Sequence, residues 1–245
     1  WSPNGEKIVF AAKSKGEDVL FIHDIVKTNN QEKISFNNSN FHLKGISRPT
    51  WNPKFNEIAF IGHDGFSSDV YIFKIDENSI KNITNDWYSD IQVSWHPNGK
   101  DLLIISDREE NKLGKKADIL NFIDHNVENL DIYKLVYNEN SIYEIIRLTD
   151  TPFNESYALY SSDSKKIAYI SDYSGINNIY ISKDECQTSL PITNILTGIT
   201  QINWNSNDQL IFTGFYKSGF DIFVVSNINR LFNTSAEIPL ANWKS

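Results

Sequence analysis

The chain has 245 residues, 40% of them hydrophobic and 13% aromatic, and a formal charge of −8. The apolar share supports a buried core and argues against disorder, while the aromatic share favours strands, because rings pack well on pleated surfaces. The acidic balance argues against nucleic acid as a partner, since phosphate binding rests on clustered Lys and Arg.

Cys186 is the only cysteine, so neither an intrachain disulfide nor a thiolate-rich structural zinc site can form; it reads as a partly buried small residue. No apolar run reaches the ~18 residues needed to span a bilayer, and no charged-then-apolar leader opens the sequence. A chain without methionine that opens at Trp1 is expected to be part of a longer protein.

A repeat organises the sequence, and the whole of 1–245 reads as one domain. The first copy, 1–48, opens on Trp1-Ser2-Pro3-Asn4-Gly5 and predicts a strand at 8–10, another from Asp18-Val19-Leu20 and another at 32–35. The second, 49–90, opens on Trp51-Asn52-Pro53 and predicts strands at 58–61, from Asp69-Val70-Tyr71, and at 80–84. The third, 91–152, has Trp95-His96-Pro97-Asn98-Gly99, then strands at 102–105, from Asp131-Ile132-Tyr133, and at 145–149, with an insertion at 109–129. The insertion's later half has partial helical spacing in Ile119, Leu120, Ile123 and Val127, so a short helix and a disordered excursion both fit it. The fourth, 153–198, opens at Tyr160-Ser161-Ser162-Asp163-Ser164, with strands at 167–170, from Asn178-Ile179-Tyr180, and at 190–193. The fifth, 199–245, opens at Trp204-Asn205-Ser206, with strands at 210–212, from Asp221-Ile222-Phe223, and at 236–240.

The opening aromatics are spaced by 50, 44, 65 and 44 residues, and the third strands follow them by 17, 18, 36, 18 and 17. Four short antiparallel strands per ~44 residues is the arithmetic of a propeller blade, which leaves only short protected sheet edges. The fold class is therefore all-β: a β-propeller of five visible four-stranded blades, with a sixth to come from flanking sequence if the ring needs one. Pro-Asn-Gly suits a tight turn between the first two strands of a blade. Copies two, four and five lack that glycine, so their turns are expected to find other geometries. The opening aromatics are expected to pack between neighbouring blades, where a large ring covers surface one blade cannot bury alone.

The Trp-Ser-Pro-Asn-Gly opening, the Asp-Ile-Tyr strand and the closing Leu-Thr together resemble the WD-like repeat of the TolB family, over nearly the whole chain. That resemblance implies a periplasmic or cell-envelope setting in a bacterium and a propeller face that receives a protein partner. The family's six blades and N-terminal domain are not matched here. The segment from Gly214 to Phe223 also looks like stretches of large bacterial envelope proteins.

No G-x-S-x-G nucleophile elbow and no H-E-x-x-H helix occurs. His23, His42, His63, His96 and His125 are scattered, and no cofactor or metal is expected. Asp64, Asp107 and Asp172 recur near the end of the second strand, where Asp commonly bonds nearby backbone amides in turns. The loops between second and third strands gather His63, Asp64, Asp107, Arg108, Tyr173, Phe215 and Tyr216 on the mouth side, an aromatic and Arg content suited to a docking site. The expected function is a non-catalytic scaffold for a protein or peptide. The alternative is the gating propeller of a prolyl oligopeptidase-type serine peptidase whose hydrolase domain lies elsewhere. The sequence assigns no oligomeric state.

Overall fold

The computed structural model describes residues 1–27, 30–36, 43–109, 127, 129–138, 141–205, 207–234 and 238. Five antiparallel sheets follow one another along the chain. The first has three strands: β1 (Lys7–Ser14), β2 (Glu17–Asp24) and β3 (Gln31–Ile34). The second has β4 (Gly45–Trp51), β5 (Glu57–His63), β6 (Ser68–Lys74) and β7 (Ser79–Asn82). The third has β8 (Asp90–Trp95), β9 (Leu102–Ser106), β10 (Asp131–Asn138) and β11 (Ser141–Arg147). The fourth has β12 (Glu155–Tyr160), β13 (Ile167–Ser171), β14 (Asn178–Ser182) and β15 (Ser189–Pro191), and the fifth has β16 (Ile199–Trp204), β17 (Leu210–Tyr216) and β18 (Gly219–Val225). A short helix, α1 (Ile228–Thr234), follows.

In every sheet the strands lie side by side in chain order. Such serial meanders are the blades of a β-propeller. Blades two to four carry four strands each, and blades one and five carry three among the described residues. The strand expected at 236–240 lies outside the described residues except for Ile238, which is in no strand. The insertion at 109–129, with its expected helix, also lies outside them apart from residues 109, 127 and 129.

The chain divides into two compact units, Trp1–Val127 with Lys134–Ile146, and Glu128–Tyr133 with Arg147–Ser245. In the first, Leu20, Ile22, Trp51, Ile58, Phe60, Tyr71 and Phe73 form one core. Phe36 stacks on Phe60 at 5.1 Å and meets Phe73 edge-on at 5.3 Å; each such buried ring contributes roughly 1.5–3 kcal/mol. In the second, Ile170, Ile179, Ile181, Ile202, Leu210 and Phe212 form the core. The inner strands read as unbroken apolar runs because both of their faces are covered: β9, β13 and β14 are buried at every residue.

Helix α1 was not expected from the sequence. Ile228 and Phe232, four residues apart on one helical face, pack on the core of the second unit, which explains a helix ahead of the strand expected at 236–240.

The two repeating signatures are halves of one closure. The N–H following the third-strand Asp or Asn donates to a hydroxyl two residues past the fourth strand: Val70 to Thr84 Oγ1 (3.0 Å), Ile132 to Thr149 Oγ1 (2.8 Å) and Ile179 to Thr193 Oγ1 (2.9 Å). The third-strand side chain then caps the chain beyond, with Asp69 Oδ1 accepting the Asp86 N–H and Asn178 Oδ1 accepting the Ile195 N–H.

The first turn of each blade is spanned by a backbone bond, as in Asn52 N–H to the Glu57 carbonyl, His96 to Asp101 and Ser161 to Lys166. In blade five the same bond runs from Asn205 to Gln209, one residue shorter. Gly5 and Gly99 take left-handed φ values of 72° and 74°, and Ser164 (60°) and Asp208 (56°) take the same conformation without being glycine. Blade four thus departs from the expectation of another geometry, keeping left-handed backbone at the turn with a residue for which it costs about 1–2 kcal/mol, whereas blade five closes a shorter turn, as its missing residue leads one to expect. Within the first unit, Asn52 Nδ2 donates to the Gly99 carbonyl at 2.9 Å, and Trp95 Nε1 donates to the Thr50 carbonyl at 3.3 Å. These bonds join blades two and three through an opening aromatic and the turn that follows it. Lys166 lies over the Trp204 ring and pairs with Asp208, joining blades four and five in the second unit. Trp1 differs: it is 71% exposed.

Candidate functional site

Arg108, expected on a docking loop, is 1% exposed. Its Nη1 donates to Asp86 Oδ2 (3.1 Å), its Nη2 to Asp90 Oδ1 (2.6 Å) and its Nε to Ser106 Oγ (3.0 Å), with the Tyr88 ring 5.1 Å from its guanidinium carbon. A planar fork suits this task, since it satisfies two buried carboxylates that would each be costly unpaired. Arg108 therefore presents no contact surface to a partner. Asp107 is also buried and accepts the Ser89 N–H at 2.7 Å.

Blade four repeats this register with other side chains. Asp90 pairs across the ladder with Ser106, and Glu155 with Ser171. Asp107 accepts from Ser89, the residue before β8, and Asp172 accepts from Asn154, the residue before β12. The positions of Asp86, Tyr88, Asp90, Ser106 and Arg108 are thus those of Thr151, Phe153, Glu155, Ser171 and Tyr173. Where Arg108 stands on Tyr88, Tyr173 meets Phe153 edge-on at 4.8 Å.

Glu155 is left with hydroxyls alone: Thr149 Oγ1 (3.1 Å), Thr151 Oγ1 (3.1 Å) and Ser171 Oγ (3.3 Å) donate to it. Among the described residues no Lys, Arg or His nitrogen lies within 4 Å of its carboxylate. It is 2% exposed. Burial first, and the negative charge of Asp131 second, push its pKa up to about 8, against the three hydroxyl bonds. Asp131 is raised by its own burial, opposed by its bonds to Arg147.

A cavity of about 370 Å³ opens beside Glu155. Thr151, Ser171, Tyr169, Tyr173, Tyr180 and Cys186 contribute to its wall. Burial pushes the Tyr180 hydroxyl up to about 12, with the Ser174 hydroxyl opposing, and Tyr180 Oη makes no hydrogen bond of good geometry among the described residues. Burial, then the charge of Glu155, keeps the Cys186 thiol protonated.

The other expected residues fall into separate places. His63 and Asp64 belong to one tight turn, in which His63 Nδ1 accepts the Gly65 N–H and Asp64 Oδ1 accepts those of Phe66 and Ser67. Tyr173 is 38% exposed and also meets Tyr180 edge-on. Phe215 and Tyr216 are exposed at the end of β17, the first against Phe220 and the second against Phe223. Sequence reasoning passed over Phe66, which is 95% exposed at the tip of the β5–β6 loop; an aromatic two residues past the turn-forming Asp64 was the available signal. It also passed over Glu155, whose signal was the spacing it shares with Asp90 relative to the next Ser-Asp pair.

The fold is that of a β-propeller. Among solved structures the chain resembles TolB from Acinetobacter baumannii, with a TM-score of 0.69 and 18% identity over 94% of this chain and 51% of that one. It likewise resembles a putative TolB from Agrobacterium tumefaciens, with a TM-score of 0.66 and 18% identity over 91% and 73%. A puromycin-hydrolyzing peptidase from Mycobacterium tuberculosis matches with a TM-score of 0.60 and 9% identity, over 90% of this chain and 36% of that one. The chain is thus a TolB-like propeller in fold, spanning about half the length of the Acinetobacter protein. No protein-family model and no curated protein matches the sequence. No helix among the described residues is long and apolar enough to cross a membrane.

Proposed function

We propose that the chain is a non-catalytic scaffold that docks a protein or peptide on the loops joining the second and third strands, in a bacterial cell envelope. The observation that carries this reading is Phe66, almost wholly exposed at the tip of a loop between β5 and β6, whose strand interiors are buried. An aromatic ring held out on a rigid support loses little entropy on binding and is the kind of anchor that dominates interfaces. In the second unit, Phe215 and Tyr216 at the end of β17 are likewise exposed on the corresponding hairpin of blade five. The envelope setting rests on the resemblance to TolB.

The test is a photo-crosslinking residue placed at Phe66, at Phe215 and, as a control, at Asn98 in the turn at the opposite end of a blade, with the protein expressed in a bacterial envelope. Crosslinks to a discrete partner from position 66, and separately from position 215, but not from 98 are expected, and Phe66→Ala should weaken capture about tenfold. Crosslinks from 98 alone would move the site to the other end. The likeness to the puromycin-hydrolyzing peptidase supports a second reading, a propeller that gates a hydrolase. A G-x-S-x-G segment encoded in the same reading frame would select it.

A further inference from the structure

Two successive blades build related polar clusters from the same ladder positions, and among the described residues only one of them contains a cation. In blade three the guanidinium of Arg108 lies between Ser106, Asp90, Asp86 and the Tyr88 ring. Blade four keeps the serine (Ser171), an acid (Glu155) and the aromatic (Phe153), but Tyr173 stands at the arginine position and turns toward Phe153. Thr151, Glu155, Ser171 and Tyr173, the counterparts of Asp86, Asp90, Ser106 and Arg108, all help to line a cavity of about 370 Å³. We propose that this cavity is a receptor for a guanidinium group carried by a ligand, which takes up against Glu155 and Ser171 the place that Arg108 fills within the chain.

Four features of the cavity favour that ligand class. Its depth holds a carboxylate with hydroxyl partners only, so a charge-assisted bond is available to an incoming cation. Tyr169, Tyr173 and Tyr180 supply ring faces of the kind that stack on a planar cation. Tyr180 Oη, on a side chain 5% exposed, has no hydrogen bond of good geometry among the described residues and is an acceptor in reserve. Asp150 contributes a second carboxylate to the lining, with its side chain largely in solvent, which attracts cations and repels anions. Asp131 acts on Glu155 through its charge, Asp150 lines the same cavity, and Arg147 is engaged by both of those aspartates. The volume suits a ligand the size of one amino acid.

A proton accompanies the event. Glu155, with its pKa near 8, is mostly protonated at pH 7, and a guanidinium can pair only with the ionised form. Binding should release close to one proton per ligand at pH 7 and should tighten as pH rises through 8. The inference stands apart from the docking reading, because the cavity admits a small molecule whether or not the loops hold a protein.

The test is calorimetry of the intact chain with N-acetyl-arginine amide, in two buffers of different ionisation enthalpy, with N-acetyl-citrulline amide as the neutral isostere and Ala-Arg-Ala as the peptide arm. Saturable binding with a Kd of roughly 1 mM or below, proton release at pH 7, and at least about tenfold weaker binding of citrulline are expected. Ala-Arg-Ala binding as well as the amide identifies an arginine side chain of a polypeptide as a possible source; binding of the amide alone identifies a free guanidino compound. Glu155→Gln should remove at least about tenfold in affinity and all of the proton release. Tyr173→Arg should abolish binding by placing a guanidinium there in cis, and it keeps the proposal testable if Glu155→Gln unfolds the chain. Equal binding of citrulline, unchanged binding in either variant, or no saturable heat with the arginine probes would overturn the proposal.

Discussion

The Thr149 hydroxyl joins two blades within the second unit: it accepts the Ile132 N–H of β10 at 2.8 Å and donates to Glu155 Oε2, at the start of β12, at 3.1 Å. Both residues are buried. Thr149→Val keeps the shape, strands the Ile132 N–H and deprives Glu155 of one donor. Each unsatisfied buried group costs about 1–3 kcal/mol, so denaturant titration should show a loss of that order. The loss should be larger at pH 9, where Glu155 is ionised in the folded state, than at pH 5.

Arg108→Met should be among the most damaging single changes. It leaves Asp86 and Asp90 buried without their cation, a situation that costs roughly 3–5 kcal/mol. Arg108→Lys should recover only part of this, because a point charge cannot fork between two carboxylates and a serine hydroxyl. Urea midpoints of the two variants against the parent chain are the measurement, and equality of Met and parent would show the cluster to be dispensable.

Glu155 makes the folded chain less stable as the solution becomes more basic. Its carboxyl titrates near 8 when folded, against 4.5 as the reference for an unfolded chain, so the folded state holds the extra proton between those values. This group's contribution is fully present below about pH 4.5 and declines as pH rises through 8, by an amount on the order of a few kcal/mol. Glu155→Gln should match the parent near pH 4 and exceed it at pH 9, as read from urea midpoints at both pH values.

Two turns that share a left-handed residue should respond in opposite ways to exchange. Ser164→Gly relieves a φ of +60° and should be neutral or stabilising by up to about 1 kcal/mol, the strain relief being set against the greater freedom of glycine when unfolded. Gly99→Ala adds both strain at φ +74° and a Cβ that would lie 2.7 Å from Lys54 Cβ and 2.8 Å from Asn52 Oδ1. It should lower the melting temperature clearly, and a null result would show that the blade two and blade three turns can slide apart.

The blades were legible in the sequence because the opening aromatics and the third-strand acid recur at intervals set by strand and turn length. What the third-strand Asp and the closing Leu-Thr do was not legible: the bond between Val70 N–H and Thr84 Oγ1 spans fourteen residues and only register brings it about. The site was read less well. Asp107 and Arg108 carry the residue types of an interface, and a sequence shows type without burial; they turn inward because Asp86 and Asp90, about twenty residues earlier, wait for a cation. Helix α1 escaped because its apolar pair, Ile228 and Phe232, is too short a pattern to mark a helix in the sequence.

In blade three, thirty-six residues separate the opening aromatic from the third strand, where the other blades use seventeen or eighteen, yet β9 and β10 still lie side by side in the same order. Lengthening a loop between two strands already held in place adds little closure entropy, about 0.6 kcal/mol per doubling. The position between Glu109 and Val127 is therefore a natural splice point. An epitope, a fluorophore-binding tag or a whole foreign domain grafted there should ride on the propeller without unmaking it, and that is a route by which such a chain could acquire cargo in the laboratory or over evolutionary time.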